Sequence, residues 1–143
     1  MTQVDFYILN GAAIEELQRL ACRLVDKAWQ QGMRTLINAD EPTTATALDD
    51  LLWTFRDISF LPHASNDADS NTLNRVAAIV ACNQPPAVDC GLLINLSPEV
   101  PKFFSRFERV AELVDKDPTR RDAGRERFRF YRDRGYPLQT HNL

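Results

Sequence analysis

VDFYILNGAAIEELQRLACRLVDKAWQQGMRTLIN, residues 4–38, reads as a strand, a helix and a second strand in that order. Val4–Leu9 is an apolar run closed by the turn pair Asn10-Gly11. From Ala12 to Gln31, residues Ile14, Leu17, Ala21, Leu24, Val25 and Ala28 recur at steps of three and four, the spacing of one helix face. Gly32 stands where a left-handed cap would end that helix. Arg34–Asn38 (RTLIN) follows as the second strand. A strand–helix–strand unit of this kind builds a parallel sheet with a right-handed crossover.

The alternation continues downstream. Pro42 to Thr44 opens a second helix with Ala45, Leu48, Leu51, Leu52 and Phe55 as its apolar positions and Trp53 to one side. The short apolar stretch Ile58–Leu61 leads into Pro62-His63, and residues 64–71 (ASNDADSN) read as a polar surface loop. Val76–Ala81 and Leu92–Leu96 are continuous apolar runs, separated by the turn region NQPPAVDCG, and such runs suit strands covered on both faces. Pro98–Phe107 is predicted as a third helix carrying Phe103, Phe104 and Phe107, and Arg109–Val114 as a further strand. Asp117-Pro118 punctuates before a terminal helix that Pro137 stops, leaving a short polar tail. The expected architecture is a single domain over residues 1–143, a three-layer α/β/α sandwich around a mostly parallel sheet.

Composition sets the outer bounds. With 143 residues, 44% hydrophobic and 26% charged, the chain can bury a core without disulfides or metals. No apolar run approaches the ~20 residues that span a bilayer, and the N-terminus lacks a signal-peptide pattern, so a cytoplasmic protein with no membrane partner is expected. Cys22, Cys82 and Cys90 form no CxxC pair, which suits reduced thiols.

Catalytic signatures are missing. The first strand–helix turn, LNGAAIEE, has one glycine and no lysine, too poor to cradle a pyrophosphate; Gly11 there simply lets the chain turn. His63 and His141 make no zinc-ligand spacing, and His63 with Asp67 and Asp69 is an ordinary polar loop. Cys22 sits on the apolar helix stripe, where cysteine is core. Asp49 and Asp50 are sequence neighbours and do not share a helix face. No catalytic residue, cofactor or metal is expected.

What remains is the segment RRDAGRERFRFYRDRGY, residues 120–136. Seven arginines against three acids make it +4 inside a chain of net charge -3, so the rest of the molecule carries -7. On a helix, Arg125, Phe128, Arg129 and Arg132 share one face, while Ala123, Phe130, Tyr131 and the stem of Arg127 point the other way. A solvated face is the ordinary fate of an Arg/Glu-rich terminal helix, but it has no use for a large apolar ring among its cations. Phe128 framed by arginines instead suits an acidic partner with an apolar anchor. Direct nucleic-acid binding by the same arginines and aromatics is the alternative; an isoelectric point near 5.4 weighs against it.

Several segments together resemble the chi subunit family of bacterial DNA polymerase III: FYIL, GMRTLI, LDDLLWTF, SFLPH, DCGLLINL and GRERFRFYRDRGYPLQTHN, in this order. The resemblance implies a Rossmann-like sandwich without a functional nucleotide loop and without chemistry of its own. It implies two partners within the clamp-loader complex: the psi subunit, in a heterodimer, and the acidic C-terminal tail of single-stranded DNA-binding protein, so that DNA is met only indirectly. By position, Arg125, Phe128 and Arg129 match the family's tail-binding residues, with Arg132 secondary and Phe60 as a wall of the pocket. Phe128 and Arg129 stand where the family often has Tyr and Lys. Trp53 resembles a psi-facing position, with Phe55 and Pro62 as neighbours; from the residues alone, Trp53 reads equally as core.

Overall fold

Strand and helix alternate as the apolar runs and stripes demand. In the computed structural model, which describes residues 1–54 and 62–143, the order is β1 (Gln3–Ile8), α1 (Ile14–Gln30), β2 (Thr35–Ala39), α2 (Pro42–Thr54), β3 (His63–Ser65), α3 (Ser70–Leu73), β4 (Ala78–Cys82), β5 (Leu92–Asn95), β6 (Arg109–Val114), α4 (Pro118–Asp133) and β7 (Leu138–Asn142). Among the described residues the seven strands form one sheet in the order β3-β4-β2-β5-β6-β1-β7, and every neighbouring pair is parallel.

Crossover handedness then assigns the helices to faces. The chain moves from β1 to β2 to β3 in one direction across the sheet and returns through β4, β5, β6 and β7 in the other. Right-handed connections in opposite directions must lie on opposite faces. Accordingly α1 and α2 bury Leu17, Ala21, Val25, Leu48 and Leu52 on Ile37, Ile94 and Leu113. On the other face Tyr131 of α4 joins Phe104 and Phe107 over Val4, Phe6, Leu36 and Leu93. Every residue of β2 and β5 is buried, the polar Thr35, Asn38 and Asn95 included, as in strands covered on both faces.

Local chemistry sets the helix ends. Gly32 (φ 78°) closes α1, its N–H donating to Trp29 O and the next N–H, from Met33, to Ala28 O. Gly135 (φ 77°) closes α4 by the same pair of bonds, to Arg132 O and Tyr131 O, so the helix ends before Pro137 is reached. At the other end Asp117 caps α4 by accepting from Arg120 N, with Pro118 in the first turn.

Three local expectations are corrected. Pro98–Phe107 forms no α-helix; Pro98 and Pro101 break it up, and a single 3₁₀ turn at Phe104–Arg106 brings Phe104 and Phe107 into the core. Residues 64–71 are not all loop, because Ala64 and Ser65 pair with Ile79 and Val80 in β3 and Asp69 caps α3. The polar tail is strand β7, polar because it lies at a sheet edge and is covered on few sides. The stretch Ile58–Leu61 lies outside the described residues. Among those described, no helix is long and apolar enough to cross a membrane.

Candidate docking site on the terminal helix

The rotational phase of α4 is set from inside. Glu112 on β6 is fully buried and accepts Arg127 Nε at 2.7 Å, the Tyr131 hydroxyl at 2.7 Å, and Asn95 Nδ2 at 3.0 and 3.1 Å. Arg127 and Tyr131 are one helical turn apart, so anchoring both to one carboxylate fixes which way every other α4 side chain points. Burial pushes Glu112 above the ordinary carboxylate range, and the Arg127 guanidinium, then the Tyr131 and Asn95 donors, pull it back. Burial and the facing carboxylate likewise raise the Tyr131 phenol. Asn95 continues the network to Ser97, whose hydroxyl donates to Asn95 Oδ1 at 2.8 Å, and to Asn38.

Gly124 sets the height of the helix. A Cβ there would stand 2.7 and 2.9 Å from the two methyl carbons of Val114, so its absence lets α4 lie directly on β6. Beside this contact runs a groove of about 250 Å³ between α4 and the β1–β7 side of the sheet. Phe6, Ile8, Val114 and Phe128 supply apolar walls, Thr140 closes the β7 side, and Lys116, Arg121 and Arg125 form a cationic rim. It lies at the C-terminal ends of β1 and β6, where open parallel sheets offer binding crevices. Arg121 holds its Nε–H buried with no hydrogen-bond acceptor among the described residues, Asp122 Oδ1 lying 4.0 Å away. A larger hollow of about 530 Å³ around Trp29 and Arg106 holds no buried unpaired donor among the described residues, and Arg34 there donates to the carbonyls of Asn74, Val76 and Asp89.

Of the residues singled out by the arginine register, Phe128 is half-buried, its ring packed edge-on against Phe6 with centroids 5.2 Å apart. It is a wall of the groove rather than a free-standing anchor. Arg125, Arg129 and Arg132 are all exposed on the outer flank, each beside an acid: Asp122 at 3.7 Å, Glu126 at 2.6 Å and Asp133 at 3.2 Å. Exposed pairs of this kind contribute little and exchange readily for a better partner. Phe130, expected in the core, is half-buried and covered by the Arg134 guanidinium 3.6 Å above its ring. Arg127 is more than a packing stem, being the buried partner of Glu112.

At the other end of the sheet, Trp53 is 57% exposed at the end of α2, edge-on to His63 at 5.1 Å, so it is not core. His63 Nε2 lies 3.0 Å from Asp49 Oδ1, and Pro62 is half-buried beside them. Phe55 and Phe60 lie outside the described residues. The register missed Lys116, Arg121 and the groove floor. Arg121 was visible within the arginine run, but Phe6, Ile8, Val114 and Thr140 meet only through the fold.

The profile described as DNA polymerase III chi subunit, HolC, matches residues 1–139. DNA polymerase III subunit chi of Pseudomonas aeruginosa is 42% identical over 143 residues, covering 100% of this chain and 98% of that one. The chi subunits of Haemophilus influenzae and Escherichia coli K12 are each 28% identical, covering 97% and 98% of this chain and 96% and 97% of theirs. Among solved structures, T4 UvsW superposes with a TM-score of 0.69 at 11% identity over 99% of this chain and 41% of its own. The C-terminal domain of the DEAD-box protein Dbp5 gives 0.64 at 8% identity over 97% and 90%. These two likenesses concern the fold alone.

Proposed function

The chain belongs to the DNA polymerase III chi subunit family, and from that premise we propose that it is an adaptor without chemistry of its own. In this reading it works in the cytoplasm and joins the psi subunit of the clamp-loader complex to the acidic C-terminal tail of single-stranded DNA-binding protein. The observation that carries the reading is the α4 groove, with apolar walls for one aromatic ring and a rim of Lys116, Arg121 and Arg125. An acidic tail ending in Phe satisfies both halves. Its ring removes the apolar walls from water, and its terminal carboxylate is met by the Lys116, Arg121 and Arg125 cations of the rim. Arg125, Arg129 and Arg132 then meet the acidic residues upstream.

The psi subunit takes the exposed Trp53 with Phe55 and Pro62. The two attachments do not compete, because α2 and α4 cover opposite faces of the sheet and Trp53 stands against β3. Six strand spacings separate the β3 and β7 edges, about 29 Å. A modest affinity for one tail gains strength from many tails along a coated strand and from the second tether.

The test is retention on two baits, naked single-stranded DNA and the same strand coated with its binding protein. Retention on the coated strand alone is expected. Equal retention on the naked strand would overturn the adaptor reading in favour of direct binding by the α4 arginines and aromatics.

A further inference from the structure

We propose that the free edge of β7 is a strand-pairing site, on which an extended acidic peptide whose terminal ring fills the α4 groove adds as a further parallel strand. The proposal rests on the tail-binding reading and supplies what that reading leaves open, the way in which the residues upstream of the ring are held.

β7 ends the sheet. Pro137 O accepts from Val4 N at 3.0 Å and Leu143 N donates to Ile8 O at 2.9 Å, so residues 137, 139, 141 and 143 turn their peptide groups toward β1. The alternation of a strand then aims the N–H and C=O groups of Leu138, Thr140 and Asn142 out of the sheet. Natural sheets blunt such edges with charge, proline, bulges or brevity. The opposite edge, β3, is three residues long. β7 spans five, reads LQTHN, and carries no lysine, acid or proline.

Position and charge identify the occupant. Thr140 belongs both to this edge and to the lining of the groove, so one ligand can reach both. α4 runs antiparallel to the strands it connects, which sets Arg125 beside the Thr140 end of β7 and Arg132 toward Leu138. A peptide with its ring in the groove and its earlier residues running back along β7 therefore has the same direction as β7. In that arrangement, alternate side chains upstream of the ring fall on the α4 side of the sheet, where the exposed flank offers Arg125, Arg129 and Arg132. Acidic residues fit there. Main-chain bonds to the edge and pockets for alternate side chains are the general mode of strand addition.

The experiment titrates the intact protein with a synthetic acidic peptide of about eight residues ending in Phe with a free carboxylate, and with versions N-methylated at one amide each. Strand addition predicts an alternating profile, with roughly tenfold losses at amides that face β7 and changes within about twofold at those between. A flat profile with tight binding of the parent peptide overturns edge pairing and leaves the groove reading intact. Failure of the parent peptide to bind overturns both. Sedimentation at the titration concentrations tests the competing occupant: a dimer that the peptide does not dissociate would assign the β7 edge to a second copy of the chain.

Discussion

Arg127 on α4 and Glu112 on β6 form an ion pair at 2.7 Å with side chains 6% and 0% exposed. Two charges taken out of water repay their desolvation only when the remaining lone pairs and protons are also met. Here Tyr131 and Asn95 complete the carboxylate, and Pro98 O accepts Arg127 Nη1 at 3.1 Å. The pair therefore specifies one helix phase more than it adds stability. Glu112→Ala should cost about 3–5 kcal/mol by leaving Arg127 buried without its counter-charge. The double change Glu112→Leu with Arg127→Met should recover much of that loss. Urea denaturation followed by circular dichroism checks both; equal midpoints for Glu112→Ala and the parent would refute the account.

Arg129→Glu sets a like charge beside Glu126, replacing the 2.6 Å pair now there. At an exposed i,i+3 position the cost to folding is only a few tenths of a kcal/mol. Against an acidic peptide ending in Phe, the loss of attraction and the new repulsion should weaken binding by more than about tenfold, with the difference shrinking as salt rises. Peptide titration at two ionic strengths measures it, and an unchanged affinity would sink the assignment of Arg129.

Trp53→Ala removes a ring that is 57% exposed, so little core packing is lost. The melting temperature should stay within a few degrees, since about 1 kcal/mol corresponds to a few degrees at this size. Complex formation with the psi subunit should fail while peptide binding persists. Persistence of the psi complex would remove Trp53 from that interface.

Burial pushes the Cys22 thiol up to about 12 and the Cys90 thiol up to about 11. In the unfolded chain both ionise nearer the ordinary thiol value, so above it the unfolded state holds fewer protons than the folded one. Stability is then complete below the unfolded value and declines as pH rises through the interval up to the folded values, by about 1.4 kcal/mol per pH unit for each thiol. At pH 8 the native protein should react with a thiol reagent at the half-exposed Cys82 alone, and at all three after denaturation. Rapid native modification of Cys22 would contradict the burial.

Gly124→Ala forces a methyl group to 2.7 Å from Val114 Cγ2. α4 must lift or Val114 must turn, at about 1–3 kcal/mol. Because Val114 also lines the groove, peptide affinity should fall with it. Adding Val114→Ala makes room for the new methyl and should restore stability. If Gly124→Ala binds peptide as tightly as the parent, the helix height does not govern the groove.

Much of the fold was legible one segment at a time. The α1 stripe, the Gly32 cap and the continuous runs Val76–Ala81 and Leu92–Leu96 are local signals, and each became the element it implied. The Phe103, Phe104 and Phe107 spacing misled, because the same rings serve a core equally well from a 3₁₀ turn. β7 was illegible as a strand, since an edge strand has too little cover to impose an apolar pattern. On the docking side, the arginine flank was readable as helix register, whereas the depth of the groove depends on Gly124 meeting Val114.

The amino-acid sequence alone determined the layered architecture, the basic outer flank of α4 and the family resemblance, since all three are encoded in spacing and order within short segments. Tertiary structure alone decided that Phe128 leans on Phe6, that Arg127 turns inward to Glu112, and that Lys116, Arg121 and Thr140 share one groove. The physical reason is range. Periodicity reports which side of an element is apolar, but which residues then meet across the sheet follows from crossover handedness and strand order, and these emerge only when the whole chain is packed.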